Sequence, residues 1–181
     1  MRKWIGYYQN IVSHNICDEI INYSQNQKPL QPSTYSTTSG KSDRSKERVK
    51  MDDGWFVKGE KFYDDIRKSF QEVIRRYQEK HPDFVCQRHT DFRLNKYSYG
   101  GFMSRHVDNI HHSHGQEYGY PQVSSLLFLN DNYKGGQLKI SNTTYNTKKG
   151  SAIIFPSNFM FPHEVNLITE GTRYSIVTWL M

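Results

Sequence analysis

From Asp91 onward the apolar residues arrive in short runs: "FRLNKYSY", "VSSLLFLN", "QLKIS", "SAIIFP" and "TRYSIVTWL". Each is rich in β-formers, and Gly, Asn and Pro separate them, which is the composition of short strands between turns. No long helical stripe interrupts the series, and no internal repeat is evident. A single short strand cannot bury an apolar face by itself. Stacking such strands in two sheets does so, and that describes a sandwich or jelly roll.

The first half has a different texture. In "SHNICDEIINYSQ", Ser13 or Asn15 can cap a helix whose Ile16, Ile20 and Ile21 share a face. "GEKFYDDIRKSFQEVIRRYQEKHP" repeats Phe62, Ile66, Phe70, Ile74 and Tyr77 at helical spacing and stops at Pro82, a stripe suited to packing on a sheet. Between them, residues 31–56 ("QPSTYSTTSGKSDRSKERVKMDDGWF") pass from Ser/Thr-rich to basic without a core period. The segment reads as a mobile loop within one domain, not a linker. It is either a solvated excursion or a lid that touches a substrate through Trp55, Arg44 and Arg48. The reading is one domain over 1–181, with helices and loop in 1–90 and a jelly-roll core in 91–181. The class is α+β with a mainly β core and N-terminal helices packed on the sheet.

A chain of 181 residues can bury about 70 % of its unfolded surface. Only 35 % of its residues are hydrophobic, but 13 tyrosines and 10 phenylalanines supply rings for a core and a cleft. No apolar run approaches the roughly 18 residues of a membrane span, and "MRKWIGYYQN" lacks the apolar stretch of a signal peptide. Cys17 and Cys86 make no disulfide framework, which fits a reducing, cytoplasmic setting. The net charge of +6 favours acidic partners, nucleic acid among them, but is too modest to demand one.

Chemistry concentrates in "SRHVDNIHHSHGQEYG", residues 104–119. If "RHVDN" is extended, His106 and Asp108 project to one face. Two histidines and one carboxylate can cap a triangular face of octahedral Fe(II), leaving the opposite positions open. "FPHEV" supplies a second histidine, His163, from a distant strand. Spacing alone does not choose the pair, because "RHTDF" offers His89 and Asp91 in the same arrangement. His111, His112 and His114 read as a solvated loop at the cleft mouth, with a second metal site or a substrate contact as the other readings.

The surrounding residues carry a resemblance. "KYSYGGFMSRHVDN" resembles the strand entering the iron site in the prolyl-4-hydroxylase-like branch of the 2-oxoglutarate- and Fe(II)-dependent oxygenases, through Tyr97, Gly100, His106 and Asp108. "LLFLNDNYKGGQLKI", "KKGSAIIFPSNFMFPHEV" and "GTRYSIVTW" follow in the family's order, and "HVDN" and "HEV" are close to the forms in hypoxia-inducible-factor prolyl hydroxylases. "RHTDF" lacks the upstream Tyr-x-x-Gly and is read as structural or surface. The resemblance implies a double-stranded β-helix (cupin-like jelly roll) with His106, Asp108 and His163 as Fe(II) ligands. Fe(II), the co-substrates 2-oxoglutarate and O2, and ascorbate as an optional reductant come with it.

Arg173 is expected to take the far carboxylate of 2-oxoglutarate through two parallel charge-assisted hydrogen bonds. Tyr97 is expected to donate to the co-substrate. Phe128 stands where near relatives have a tyrosine, and Ser175 is the group that can replace that hydroxyl. Leu126, Phe128 and Trp179 are read as pocket wall or ordinary core. The carboxylate ligand Asp108 favours hydroxylation over halogenation.

The implied activity is hydroxylation of an unactivated C–H, on prolyl residues of a peptide or protein, with succinate and CO2 as co-products. Two readings compete. One is an oxygenase acting on a free amino acid or a nucleic-acid base. The other is a non-catalytic jelly-roll module holding a structural metal, which would normally fill the coordination sphere with protein ligands. The motifs resemble prolyl hydroxylases more than demethylases, so nucleic acid is the less favoured partner, and no membrane is expected.

Overall fold

A computed structural model describes residues 2–36, 42–43, 47–109 and 119–181. The first part of the chain forms β1 (Gly6–Tyr8), α1 (His14–Asn26), β2 (Gln31–Pro32), β3 (Tyr35–Ser36), β4 (Ser42–Asp43), β5 (Val49–Lys50), β6 (Asp52–Phe56) and α2 (Tyr63–Lys80). Ten strands follow: β7 (Phe92–Tyr97), β8 (Phe102–His106), β9 (Val123–Phe128), β10 (Lys134–Gly135), β11 (Leu138–Ile140), β12 (Thr143–Tyr145), β13 (Ala152–Pro156), β14 (His163–Val165), β15 (Ile168–Glu170) and β16 (Arg173–Leu180). One sheet has the order β1-β13-β9-β16-β7-β6-β2 and the other β12-β11-β14-β8-β5, with β10-β15 and β3-β4 as separate pairs.

Local chemistry accounts for both helices. The Ser13 hydroxyl accepts from the Ile16 N–H, capping α1, and Cys17, Ile20 and Ser24 are its buried residues. Asp64 and Asp65 lie in the first turn of α2 and Lys80 in the last, as the helix dipole favours. Ile66, Phe70, Val73 and Tyr77 of α2 are buried in one cluster with Phe92, Leu94, Leu127, Ile154, Ile176 and Leu180 of the seven-stranded sheet. A second cluster contains Leu126, Phe128, Ile153, Phe155, Val177 and Trp179 from that sheet and Leu138, Ile140 and Val165 from the five-stranded one. The alternation of strand side chains thus sends one set to the helices and the other to the interior between the sheets. Among the described residues, no helix is long and apolar enough to cross a membrane.

One expectation is corrected. Residues 31–56 are not a loop throughout: β5 pairs with β8, while β6 pairs with β7 and β2. Phe56 is fully buried, and its ring lies 6.2 Å from that of Tyr23. Trp55 sits in β6 with its ring 6.2 Å from Trp179, so it belongs to the sheet and not to a lid. The sequence signal failed because Asp52, Asp53 and Gly54 are poor strand formers, and pairing with β7 overrides local preference. Of the other two lid contacts, Arg44 lies outside the described residues, and Arg48 is exposed in the turn before β5, its carbonyl accepting from the Ser104 N–H at 2.8 Å.

The burial of Phe56 tests this assignment. Phe56→Ala should cost about 3–5 kcal/mol in chemical denaturation. A loss under about 0.5 kcal/mol, the surface-substitution range, would return the segment to loop status.

Candidate active site

Strand register brings the two histidines together. His106 ends β8, His163 begins β14, and they are direct cross-strand partners with ring centroids 4.2 Å apart. Asp108 is not on the strand, contrary to the extended reading of "RHVDN". It lies in the bend beyond β8, where the N–H groups of Asp108 and Asn109 donate to the Ser157 carbonyl at 3.2 and 3.1 Å. That anchor turns the carboxylate back toward both imidazoles. His106 Nε2 is 3.5 Å from Asp108 Oδ1, and His163 Nε2 is 3.5 Å from Oδ2. The three ligand atoms lie within 4.8 Å of one another, and among the described residues no fourth His, Cys, Asp or Glu joins them.

The neighbours orient these donors. His106 Nδ1–H donates to the Ser104 carbonyl at 2.8 Å, and His163 Nδ1–H to the Phe161 carbonyl at 3.3 Å, which leaves each Nε2 lone pair facing the aspartate. The Ser124 hydroxyl donates to Asp108 Oδ2 at 2.5 Å and lies 2.8 Å from the Ser157 hydroxyl. Burial opposes ionisation of Asp108, but His163, His106 and Ser124 hold its carboxyl well below the usual range. Burial pushes the His163 imidazole down to about 4, against the attraction of Asp108. An ionised carboxylate and a neutral imidazole are the forms a divalent metal requires. Two nitrogens and one oxygen on a single side, with the rest of the sphere free of described protein donors, fit Fe(II).

Arg173 begins β16 directly opposite Tyr97, the last residue of β7. Its side chain is 0 % exposed, and its guanidinium lies 5.1 Å from the Tyr97 ring and 5.4 Å from the Phe128 ring. Nη1 donates to the Ser175 hydroxyl at 3.1 Å, whereas Nε and Nη2 are buried without a partner among the described residues. Nε and Nη2 form one edge of the guanidinium, the fork that grips a carboxylate with two parallel bonds. A buried cation with an empty fork is costly, so the site fits a carboxylate-bearing ligand. Tyr97 is buried, which pushes its hydroxyl pKa up and keeps it a proton donor at neutral pH.

Supporting groups place Arg173. The Asn130 amide donates to the Thr172 carbonyl at 2.7 Å and accepts from the Tyr174 N–H at 2.8 Å, locking the entry to β16. Gly136 adopts φ +63°, and a Cβ there would meet Ile168 Cδ1 at 2.3 Å and Arg173 Cδ at 3.3 Å, so the second glycine of "KGG" makes room for the arginine stem.

The sequence reading named His106, Asp108, His163, Arg173, Tyr97 and Ser175 as site residues; the structure clusters the first three and sets Tyr97 and Ser175 beside Arg173. Leu126, Phe128 and Trp179 lie in the apolar cluster around them. His89 is elsewhere: it bridges Leu180 and stacks on Phe92 at 5.3 Å. His111, His112 and His114 lie outside the described residues. Ser124, Ser157 and Asn130 were missed, because serines in "VSSLLF" and a turn asparagine carry no signal that separates a ligand's partner from ordinary polar residues.

Residues 92–181 match the 2OG-Fe(II) oxygenase superfamily. A PKHD-type hydroxylase of Rippkaea orientalis is 39 % identical over 93 residues, 48 % of this chain and 40 % of that protein. One from Stenotrophomonas maltophilia is 30 % identical over 127 residues, 64 % of this chain and 55 % of that protein. The matched stretch therefore spans less than two thirds of these relatives' own length. A Pseudomonas putida prolyl-4-hydroxylase has a TM-score of 0.74 at 17 % identity, covering 98 % of this chain and 91 % of that one. A prolyl hydroxylase from Trichoplax adhaerens, solved in complex with a hypoxia-inducible-factor peptide fragment, has a TM-score of 0.79 at 18 % identity, with 99 % and 84 % covered. At these identities the solved structures establish the fold, the prolyl-hydroxylase type of double-stranded β-helix. Through residues 92–181, which contain the three clustered ligands and Arg173, this chain belongs to the 2OG-Fe(II) oxygenase superfamily, a family that uses Fe(II), 2-oxoglutarate and O2.

Proposed function

We propose that this protein is a 2-oxoglutarate- and Fe(II)-dependent dioxygenase that hydroxylates an unactivated C–H on prolyl residues of a peptide or protein. The observation that carries the reading is the buried Arg173 fork, empty of protein partners, in the same interior as a three-ligand cluster with open coordination positions. A structural metal module has no need of such an arginine. His106, Asp108 and His163 hold the iron, and Arg173, Tyr97 and Ser175 hold the co-substrate.

Bound together, Fe(II), 2-oxoglutarate and O2 supply the oxidising power for C–H hydroxylation, with succinate and CO2 as co-products. The chain contributes position and electrostatics. Among the described residues Asp108 would supply the one ligand charge against the metal, and Ser124 keeps that carboxylate aimed. Ser175 holds Nη1 of Arg173 so that the Nε–Nη2 edge faces the ligand's far carboxylate. Tyr97 donates its hydroxyl proton, and Phe128 and Trp179 exclude water from the pocket. The prolyl assignment draws on likeness to the prolyl hydroxylases and PKHD-type hydroxylases described above. A cytoplasmic location agrees with two free cysteines, Cys17 and Cys86.

The deciding experiment screens proline-containing peptides, free amino acids and nucleic acids for stimulation of succinate formation. Stimulation by nucleic acid alone would sink the prolyl reading. Alanine at His106, Asp108 or His163 should abolish turnover and Mn(II) binding in a folded protein. His89→Ala should leave turnover within about twofold, since a surface position away from the site perturbs little. The reverse result would assign the metal to the other pair.

Arg173→Ala should raise the dissociation constant for 2-oxoglutarate about 100-fold, by loss of two charge-assisted hydrogen bonds, with metal affinity little changed. Unchanged co-substrate affinity would exclude this role. Ser124→Ala should weaken Mn(II) binding about 10- to 100-fold in calorimetry, because the ligand carboxylate loses its aim.

A further inference from the structure

Beside the co-substrate pocket, the inner face of β6 and β7 carries polar groups that the mechanism above does not use. Cross-strand partners share a face of the sheet. Asp53 lies opposite Asn95, which lies opposite Ser175, and Trp55 lies opposite Arg93, which lies opposite Val177. Val177 and Trp55 belong to the cluster between the sheets, and Ser175 touches Arg173, so this row looks into the same interior. Tyr97, two residues beyond Asn95 on β7 and directly opposite Arg173, continues the same row toward the co-substrate groups.

These groups are conspicuously unanswered. Asn95 is 3 % exposed, yet among the described residues its side-chain carbonyl oxygen has no hydrogen-bond partner. Arg93 lies on the Trp179 indole at 4.7 Å with its Nε buried and unpartnered. Among the described residues, the half-buried Asp53 carboxylate has no hydrogen-bond or ion-pair partner, although its backbone is paired in the sheet. Buried polar atoms such as the Asn95 oxygen and Arg93 Nε are normally paired, so two of them on one face, beside the half-buried Asp53, mark a ligand's place.

2-Oxoglutarate does not suit them. It is a dianion with acceptors only, so it could take the Asn95 amide N–H but would leave the amide oxygen unanswered, and Asp53 repels it. Whichever way the Asn95 amide is turned, it presents a donor and an acceptor side by side, and so does a peptide bond. A zwitterionic amino acid has no neutral group of that kind. Next to Asn95, Arg93 offers donors to a main-chain carbonyl and Asp53 offers an acceptor to a cationic side chain. The indoles of Trp55 and Trp179, 6.2 Å apart, supply an aromatic floor beside them.

We propose that Asn95, Arg93 and Asp53 form the subsite for the peptide main chain beside the hydroxylated residue, with Asp53 selecting a basic side chain there. The proposal rests on the peptide-hydroxylase reading and names the recognition it requires. Asn95 pairs with one peptide amide, Arg93 takes the adjoining carbonyl, and Asp53 contacts the neighbouring Lys or Arg. All three are specificity-determining groups, remote from the metal ligands in role.

The test uses N-acetylated, C-amidated pentapeptides with a central proline flanked by Lys or by Glu, with free L-proline as comparator. Binding to the full chain loaded with Mn(II) and 2-oxoglutarate is read by tryptophan fluorescence, and turnover of the Fe(II) enzyme by succinate. The Lys peptide should bind about tenfold more tightly than the Glu peptide, and Asp53→Asn should erase that preference. Asn95→Leu, close in volume, should weaken both peptides about tenfold while the 2-oxoglutarate dissociation constant moves less than about twofold. Asp53 is only half-buried, so its variant keeps the test intact if Asn95→Leu fails to fold.

Loss of 2-oxoglutarate affinity without loss of peptide affinity in Asn95→Leu would overturn the subsite. So would binding of free L-proline in place of the blocked peptides, or no peptide binding at all. Peptide binding that depends on Asn95 and Asp53 without hydroxylation would support the subsite and overturn proline as the target.

Discussion

All eight residues of β16 are buried, and the strand is hydrogen-bonded to β7 along one edge and to β9 along the other. A strand in that position must satisfy its two-residue period on both faces at once. Tyr174, Ile176 and Leu180 point to the helices, and Arg173, Ser175, Val177 and Trp179 point between the sheets. The rest of the molecule follows from this strand. Helices α1 and α2 cover its outer face, and its inner face sets the Arg173 guanidinium against the Tyr97 and Phe128 rings.

The interior is organised by how it handles charge. Asp108 is surrounded by partners: two imidazoles, the Ser124 hydroxyl and a bend tied to Ser157. Arg173 is the opposite, a cation sealed among rings that, among the described residues, has only the Ser175 hydroxyl to hold one nitrogen. A buried charge left unpaired destabilises the fold, so ligand binding and stability are linked through this residue. The protein holds the arginine ready by locking the entry to β16 with Asn130 and by using Gly136 to clear space for its stem. That is preorganisation, in which the cost of fixing the fork falls on folding and not on binding.

Much of this was legible in the chain. The five short runs after Asp91 became strands of the two sheets because their β-forming residues and turn punctuation are local properties. The α2 stripe survived with Ile66, Phe70 and Tyr77 on the buried face, although the helix begins one residue after Phe62, which takes φ +68°. The ordered motifs led to His106, Asp108, His163 and Arg173. Segment 49–56 was not legible: β5 is two residues long, β6 is acidic and interrupted by glycine, and they hold because β8 and β7 offer open edges.

Sequence alone therefore determined the residue types of the site, the strand and helix character of most segments, and the order in which the motifs occur. Each of these depends on near neighbours, through side-chain period, capping and turn chemistry. Tertiary structure alone decided that His163 faces His106 across β14 and β8, while His89 is placed against Leu180 and Phe92 instead. It also decided that Asp108 reaches its neighbours from a bend anchored on Ser157, and that Ser124 and Asn95 face the interior. Register between distant strands is a long-range property, and a shift of one residue would send every one of these side chains to the opposite face.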